Sequence, residues 1–338
     1  MKERVGDGRG NIFLRLGNAI AVRSLMVVLA ACLSCLSMKG EIIGDTVVVI
    51  RNNFTKGETV NYDCGIAQLR IEGNDSILES LSISKAKFTL KDILEDGNKL
   101  FEMQMRFKLP EKIAPDEEKL DEMFKKMLRI LEEKPQSFLT DSNGAIKEMC
   151  NYNEVSMELD SCLNMLNDWI ATVDVTEEEA DIMRKIFADM ADKMLSEEAI
   201  MQKMNLFQYY GDEFYLGTII YKMRVKCPLF DSVEVDATID TTCYLTESST
   251  GGKIVTINNE VIYDGDQIIE RMKSGLFTEE QIRATGLDNP ETAYMLITDT
   301  VTCTIELESG KILKYETTRR VNEPHANNMI CTIMRLSE

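Results

Sequence analysis

Three stretches of this chain alternate apolar and polar side chains with a period of two, and that alternation limits what the chain can build. Phe101, Met103, Met105, Phe107 and Leu109 alternate with Glu102, Gln104, Arg106 and Lys108. Tyr221, Met223, Val225 and Cys227 alternate with Lys222, Arg224 and Lys226, and Val233, Val235, Ala237 and Ile239 alternate with Glu234, Asp236, Thr238 and Asp240. Successive side chains of a strand point to opposite faces, so each stretch predicts a strand with one face in a core and one toward water. Turn signals join such strands into hairpins, at Glu95-Asp96-Gly97-Asn98 and at Ser309-Gly310. The second turn links Val301-Cys303-Ile305-Leu307 to Leu313-Tyr315. Strands are also expected at Thr46–Ile50, at Glu58–Ile71 after the Lys56-Gly57 turn, and at Met329–Leu336.

Helical periodicity enters between these strands. Asp116, after Pro115, is placed to cap a helix whose apolar stripe is Leu120, Met123, Phe124, Met127 and Leu131. A second helix is expected over Glu154–Ala171, carrying the lone Trp169. Thr176-Glu177-Glu178-Glu179 forms a capping box ahead of Met183, Ile186, Phe187, Met190 and Met194, and Thr278-Glu279-Glu280-Gln281 caps a short helix ending at Gly286. The expected fold class is α+β: antiparallel sheet units, able to curve, with inserted Met-rich helices. Its organisation reads as a lead over residues 1–40, a β-then-helical unit over 41–205 and a β-rich unit over 206–338. A two-fold pseudo-repeat is suggested by Leu139-Thr140-Asp141-Ser142 with Asn153-Glu154-Val155, echoed by Leu245-Thr246-Glu247-Ser248 with Asn259-Glu260-Val261 at an offset of 106.

The lead has its own signature. Ser24–Met38 is an apolar run behind Arg15 and Arg23, too short to cross a bilayer, which takes about 20 residues. A basic lead, a short apolar core and small residues ahead of Lys39-Gly40-Glu41 have the build of an export signal. Two maturation routes fit these residues. Leu29-Ala30-Ala31-Cys32 resembles the lipobox of bacterial lipoproteins, in which the cysteine, here Cys32, is lipidated. Cleavage after Ser37 satisfies the small-residue rule as well. The expected location is therefore exported, in the periplasm or associated with the outer membrane, with membrane contact only through a lipid anchor on Cys32.

Charge and missing motifs narrow the chemistry. Beyond position 40 the chain holds 32 basic and 55 acidic side chains, a net −23, which repels phosphate backbones and argues against nucleic-acid partners. The seven cysteines of that region, Cys64, Cys150, Cys162, Cys227, Cys243, Cys303 and Cys331, are odd in number and widely spaced, so no disulfide framework follows. The single histidine, His325, reads as a loop residue. There is no G-x-S-x-G elbow, no H-E-x-x-H, no C-x-x-C after residue 40, no P-loop and no G-x-G-x-x-G. Neither a cofactor nor a metal is expected, and no residue qualifies as catalytic. Acidic loops at Asp264-Gly265-Asp266 and Asp288-Asn289-Pro290-Glu291 lack calcium-loop spacing and read as solvated turns.

The export signal, the Gly44-Asp45-Thr46-Val47-Val48-Val49 opening, the Lys56-Gly57-Glu58-Thr59 turn and the strand–turn–Asn-Glu-Val block together resemble uncharacterised exported β-rich proteins of Gram-negative bacteria, lipoproteins among them. The resemblance implies a β-rich fold with inserted helices and transfers no functional residue. Asp45-Thr46-Val47, Asp75-Ser76-Ile77, Asp231-Ser232-Val233 and Asp299-Thr300-Val301 also look like acceptor triplets of an O-glycosylation system found in some such bacteria.

The positive signal is methionine: twenty in the chain, many on helical faces, including Met123, Met127, Met165, Met183, Met190, Met194, Met201 and Met204. Methionine suits an adaptable apolar cleft as well as an ordinary core. Phe207, Tyr209, Tyr210, Phe214 and Tyr215 follow these helices and are placed to close one end of such a cleft. The expected function is a non-enzymatic binding or scaffolding role at the cell envelope, in its specific form a carrier of an apolar small molecule. A module that holds an envelope protein is the alternative, and a carboxylate-dependent hydrolase a lesser one.

Overall fold

A computed structural model describes residues 41–43, 46–73, 75–108, 118–171, 177, 180–181, 184–185, 207–276, 282–283, 285–289, 292–324 and 326–337. The apolar lead with Cys32, the starts of three expected helices (Asp116, Thr176, Thr278), the Met-rich face from 183 to 204, and His325 lie outside them. So do the side chains of Trp169 and of the expected stripe Leu120–Leu131.

Fourteen described strands form two sheets. A small one pairs β1 (Glu41–Ile43), β2 (Val47–Val49) and β8 (Glu213–Tyr215). The large one has eleven strands, all antiparallel to their neighbours. Its first members are β3 (Thr59–Glu72), β4 (Asp75–Ile93), β5 (Lys99–Phe107), β6 (Gln136–Thr140) and β7 (Ile146–Met149). The rest are β9 (Gly217–Cys227), β10 (Phe230–Glu247), β11 (Lys253–Tyr263), β12 (Leu296–Glu306), β13 (Ile312–Glu323) and β14 (Ala326–Leu336). The order is β7-β6-β5-β4-β3-β14-β13-β12-β11-β10-β9, so the chain's last strand lies against β3 and one sheet runs across position 205. Helices α1 (Glu118–Glu133) and α2 (Tyr152–Ile170) are inserted around the β6–β7 hairpin. Helix α3 (Gly265–Arg271), capped by Asp264 accepting from the Gln267 amide, runs into a π-helical turn, Met272–Leu276. The architecture is thus mostly antiparallel sheet with few helices. The two Asn-Glu-Val triplets fall on different elements, the first in α2 and the second in β11, so the sequence echo has no common backbone there.

Register and alternation assign the faces. On β12, Ile297, Asp299, Val301, Cys303 and Ile305 share one face, and their partners Val321, Arg319, Thr317, Tyr315 and Ile312 lie beside them on β13. This face carries two packed clusters. One gathers Tyr62, Phe88, Phe101, Phe138, Ile257 and Cys303 under Ile50, Phe54, Phe207 and Tyr210. The other gathers Cys227, Val235 and Ile297 under Ile268, Ile269, Met272 and Leu287. Cys243 and Cys303 each pair with Ile257 from opposite sides, two strands apart, too far to bridge; they pack as small hydrophobes.

The sheet curls around the first cluster. Six strand spacings of ~4.8 Å separate the β6–β7 turn from the β12–β13 turn along a flat sheet, about 29 Å. Yet a single side chain, Tyr210, bridges the two: its ring lies against Gly144, and its hydroxyl donates to the Gly310 carbonyl at 2.6 Å. The segment 50–53 laces the same two turns together, with Asn52 N–H donating to Asn143 O at 2.8 Å and Asn53 N–H to Ser309 O at 3.2 Å.

Candidate ligand cleft

Between the two clusters the same face is not packed over by any described residue. Reading along β10 to β13, the side chains pass from one cluster to the other through Thr241, Asn259, Val301 and Thr317, and these floor a cleft of about 560 Å³, open to solvent. One wall is the segment that follows the helical region: Tyr209, Asp212 and Phe214. Tyr221 of the edge strand β9 stands opposite, and Tyr315 and Ile330 complete the lining on the β13–β14 side. Tyr209 and Phe214 rings contact each other at 5.8 Å between centroids. The aromatic group expected to close a cleft divides its labour: Tyr209, itself buried in the first core cluster, and Phe214 form the wall, Phe207 and Tyr210 are buried in the same cluster, and Tyr215 on β8 is exposed.

The floor has one charged pair. Arg319 donates to Asp299 through Nε and Nη2, both at 2.7 Å, and Tyr263 adds its hydroxyl to the same carboxylate at 2.8 Å. Arg319 Nη1 reaches the Pro228 carbonyl at 3.3 Å. The Asp299 hydrogen bonds hold the guanidinium pKa above its ordinary value, while burial, reinforced by the Asp299 charge, pushes the Tyr263 phenol up. Thr241 donates to Asn259 Oδ1 at 3.1 Å, which orients that amide along the floor. Asp212, at the rim, is different. Burial alone raises its carboxyl pKa, and among the described residues no hydrogen bond or ion pair is made to its side chain.

The cleft is therefore amphiphilic: aromatic and branched side chains above a hydrogen-bonding floor with a neutralised ion pair. The Met-rich helical faces expected to enclose this face lie outside the described residues. Among the described residues α1 meets the sheet at β5, where Glu132 accepts from the Phe107 amide at 2.6 Å, and the 207–215 segment supplies a wall of the cleft. Apolar side chains flank the cleft on the same face: Ile219 and Met223 beside Tyr221 on β9, and Ile66 on β3 beyond Ile330. Among the described residues no helix is long and apolar enough to cross a membrane, and no group of three or more His, Cys, Asp or Glu could hold a metal ion.

From the sequence, Asp299 is singled out only within the triplet Asp299-Thr300-Val301, and Arg319 not at all. Each is a charge in phase with inward apolar residues of its strand, and the register shift between Thr304 and Ile305 brings them opposite one another.

No family model and no curated protein matches the chain. Among solved structures it is similar to lipovitellin, in a study of lipid–protein interactions in that protein, with a TM-score of 0.36 and 9% identity over 84% of this chain. The match spans 25% of the lipovitellin chain.

Proposed function

We propose that this is an exported binding protein whose ligand is a small amphiphile held in the cleft between the two core clusters. The observation that carries this reading is the stretch of the inner face that no described residue packs over. There, a chain that buries its hydrophobic side chains on either side leaves aromatic and aliphatic groups facing an open, polar-floored volume of about 560 Å³. Ligand sites of this size commonly combine apolar walls with a few placed polar groups. The Ser24–Met38 run supports export to the envelope, and Cys32 is the residue a lipid anchor would modify. Native mass spectrometry of the protein purified from its host tests the reading. A co-purifying small molecule, lost when Tyr221 and Tyr315 are replaced by serine, is expected. A bare polypeptide whose cleft resonances shift with no amphiphile would overturn it.

A second reading rests on a separate surface. On the opposite face Leu78, Leu81 and Ile83 of β4 adjoin Leu69 of β3 and, across it, Met329 and Ile333 of β14. Leu78 and Leu81 are 54% and 56% exposed, and among the described residues β4 has no strand partner on its outer edge beyond Ser84. An apolar patch beside a free strand edge suits a protein partner. Loss of a defined complex on Leu81→Asp, with the cleft ligand retained, would separate this role from ligand carriage.

A further inference from the structure

The charges of the cleft point to the sign of its ligand. Three charged side chains line it: Asp212, Asp299 and Arg319. The Arg319 guanidinium is satisfied by a bidentate bond to Asp299 and by Pro228 O, so its charge is already balanced within the floor. Among the described residues the carboxylate of Asp212 has no balancing partner. A ligand entering as a carboxylate or phosphate would meet this uncompensated negative charge, and would approach through the field of a chain of net charge −19. A cation meets attraction at both ranges.

The walls favour the same sign. Four aromatic rings line the one cleft: Tyr209, Phe214, Tyr221 and Tyr315. Tyr209, Phe214 and Tyr221 come from one stretch running through the 207–212 turn, β8 and β9, and Tyr315 joins them from β13, about a hundred residues on. Ring faces carry negative quadrupole potential and bind organic ammonium groups, whose hydration is weak enough to exchange for rings. On the same face of β9, Ile219 and Met223 flank Tyr221 on either side, 43% and 48% exposed, and extend the apolar surface beyond the cleft lining along that edge strand.

We propose that the cleft recognises an alkylammonium amphiphile, its nitrogen between Asp212 and the aromatic rings and its hydrocarbon tail over Ile219 and Met223. This rests on the amphiphile reading above and adds the head-group charge to it.

Titration of the mature full-length protein with dodecyltrimethylammonium below its micelle concentration, beside dodecanol, dodecanoate and choline, decides the matter. The cationic amphiphile should bind at one site and about tenfold or more tighter than dodecanol or dodecanoate. Asp212→Asn should weaken it about tenfold and leave dodecanol unchanged, with an unaltered melting temperature because the residue is exposed. Raising salt to about 0.5 M should weaken the cation alone. Met223→Ser should weaken the twelve-carbon cation and spare choline. Equal binding of dodecanol and the cation, indifferent to Asp212→Asn, would overturn the cation inference and leave the amphiphile reading standing. Failure of every probe would remove both. Choline binding as tightly as the long-chain cation would retain ammonium recognition and overturn the tail placement, identifying the ligand as a free small amine.

Discussion

Lys99 occupies the core face of β5, two residues before Phe101, and is 3% exposed. Its ammonium donates to the Asn52 carbonyl, and burial, opposed in part by the Asp141 charge, pushes its pKa from 10.5 down to about 8. In the unfolded chain the amine titrates at its ordinary value, so between pH 8 and 10.5 the unfolded state holds more protons than the folded one. Stability conferred at this site therefore rises with pH through that window, by up to about 1.4 kcal/mol per pH unit, and is flat and least favourable below it. The buried thiols of Cys64, Cys243 and Cys303, pushed up by burial, act in the opposite direction. They are common to wild type and variant, so they cancel in a difference. Urea unfolding from pH 7 to 10.5 should show wild type gaining on Lys99→Met by a few kcal/mol overall; a constant gap would mean the amine stays charged when buried. Gly144 makes a steric prediction. It holds φ at +112°, and a Cβ there would lie 2.4 Å from that of Asn52 and 3.1 Å from the Tyr210 ring. Gly144→Ala should cost about 2–4 kcal/mol, read as a lowered urea midpoint, because the strap 50–53 and Tyr210 cannot both retreat.

At the scale of elements, Phe207 shows how a short turn governs a large sheet. Its ring lies 5.2–5.6 Å from those of Phe88, Phe101, Phe138 and Tyr210, joining β4, β5 and β6 to the side chain that bridges the two turns. Phe207→Ala should cost about 3–5 kcal/mol and loosen amide protection in β6 before β12, measurable by hydrogen exchange. The strands around it differ in how openly their sequence declared them. β5, β9 and β10 kept one apolar phase and could be read directly. β4 could not, because Leu81 and Ile83 point to the outer face while Ala86, Phe88 and Leu90 point to the inner one. β3 changes phase in the same way between Ile66 and Ala67, and β14 is apolar on both faces with Met329, Cys331 and Ile333 outward and Met334 and Leu336 inward. A periodicity argument registers such a change as the end of a strand, although the backbone continues. The cleft was half legible. The aromatic cluster after the helices announced a wall, whereas the pairing of Asp299 with Arg319 depends on a one-residue register shift between Thr304 and Ile305 that the hairpin sequence does not declare. The contribution of Asp212 needed the curl of the sheet, which no local pattern encodes.

Across the described residues, apolar side chains are exposed on two opposed faces, and the phase changes explain why. Where β3, β4 and β14 run beyond the first core cluster, their hydrophobic side chains swap to the outer face, so the sheet that is buried from one side at one end presents its other side at the far end. Exposed leucines at such positions contribute little to folding, since water already reaches them in the folded state; substitutions there usually stay within about 0.5 kcal/mol. Their contribution is to association, where each would surrender its remaining accessible area at ~25 cal/mol per Å². Stability and association should therefore separate cleanly. Replacing Leu78 and Leu81 together with serine should leave the melting temperature within about 2 °C of wild type. In sedimentation velocity the wild type should show concentration-dependent association that the double variant lacks, and the variant should bind less of an apolar fluorescent dye. A large drop in melting temperature would instead mean that these side chains are held in the folded core by the chain itself. Unchanged sedimentation with an unchanged melting temperature would strip the outer patch of any part in self-association and leave a different protein as the partner it would have to hold.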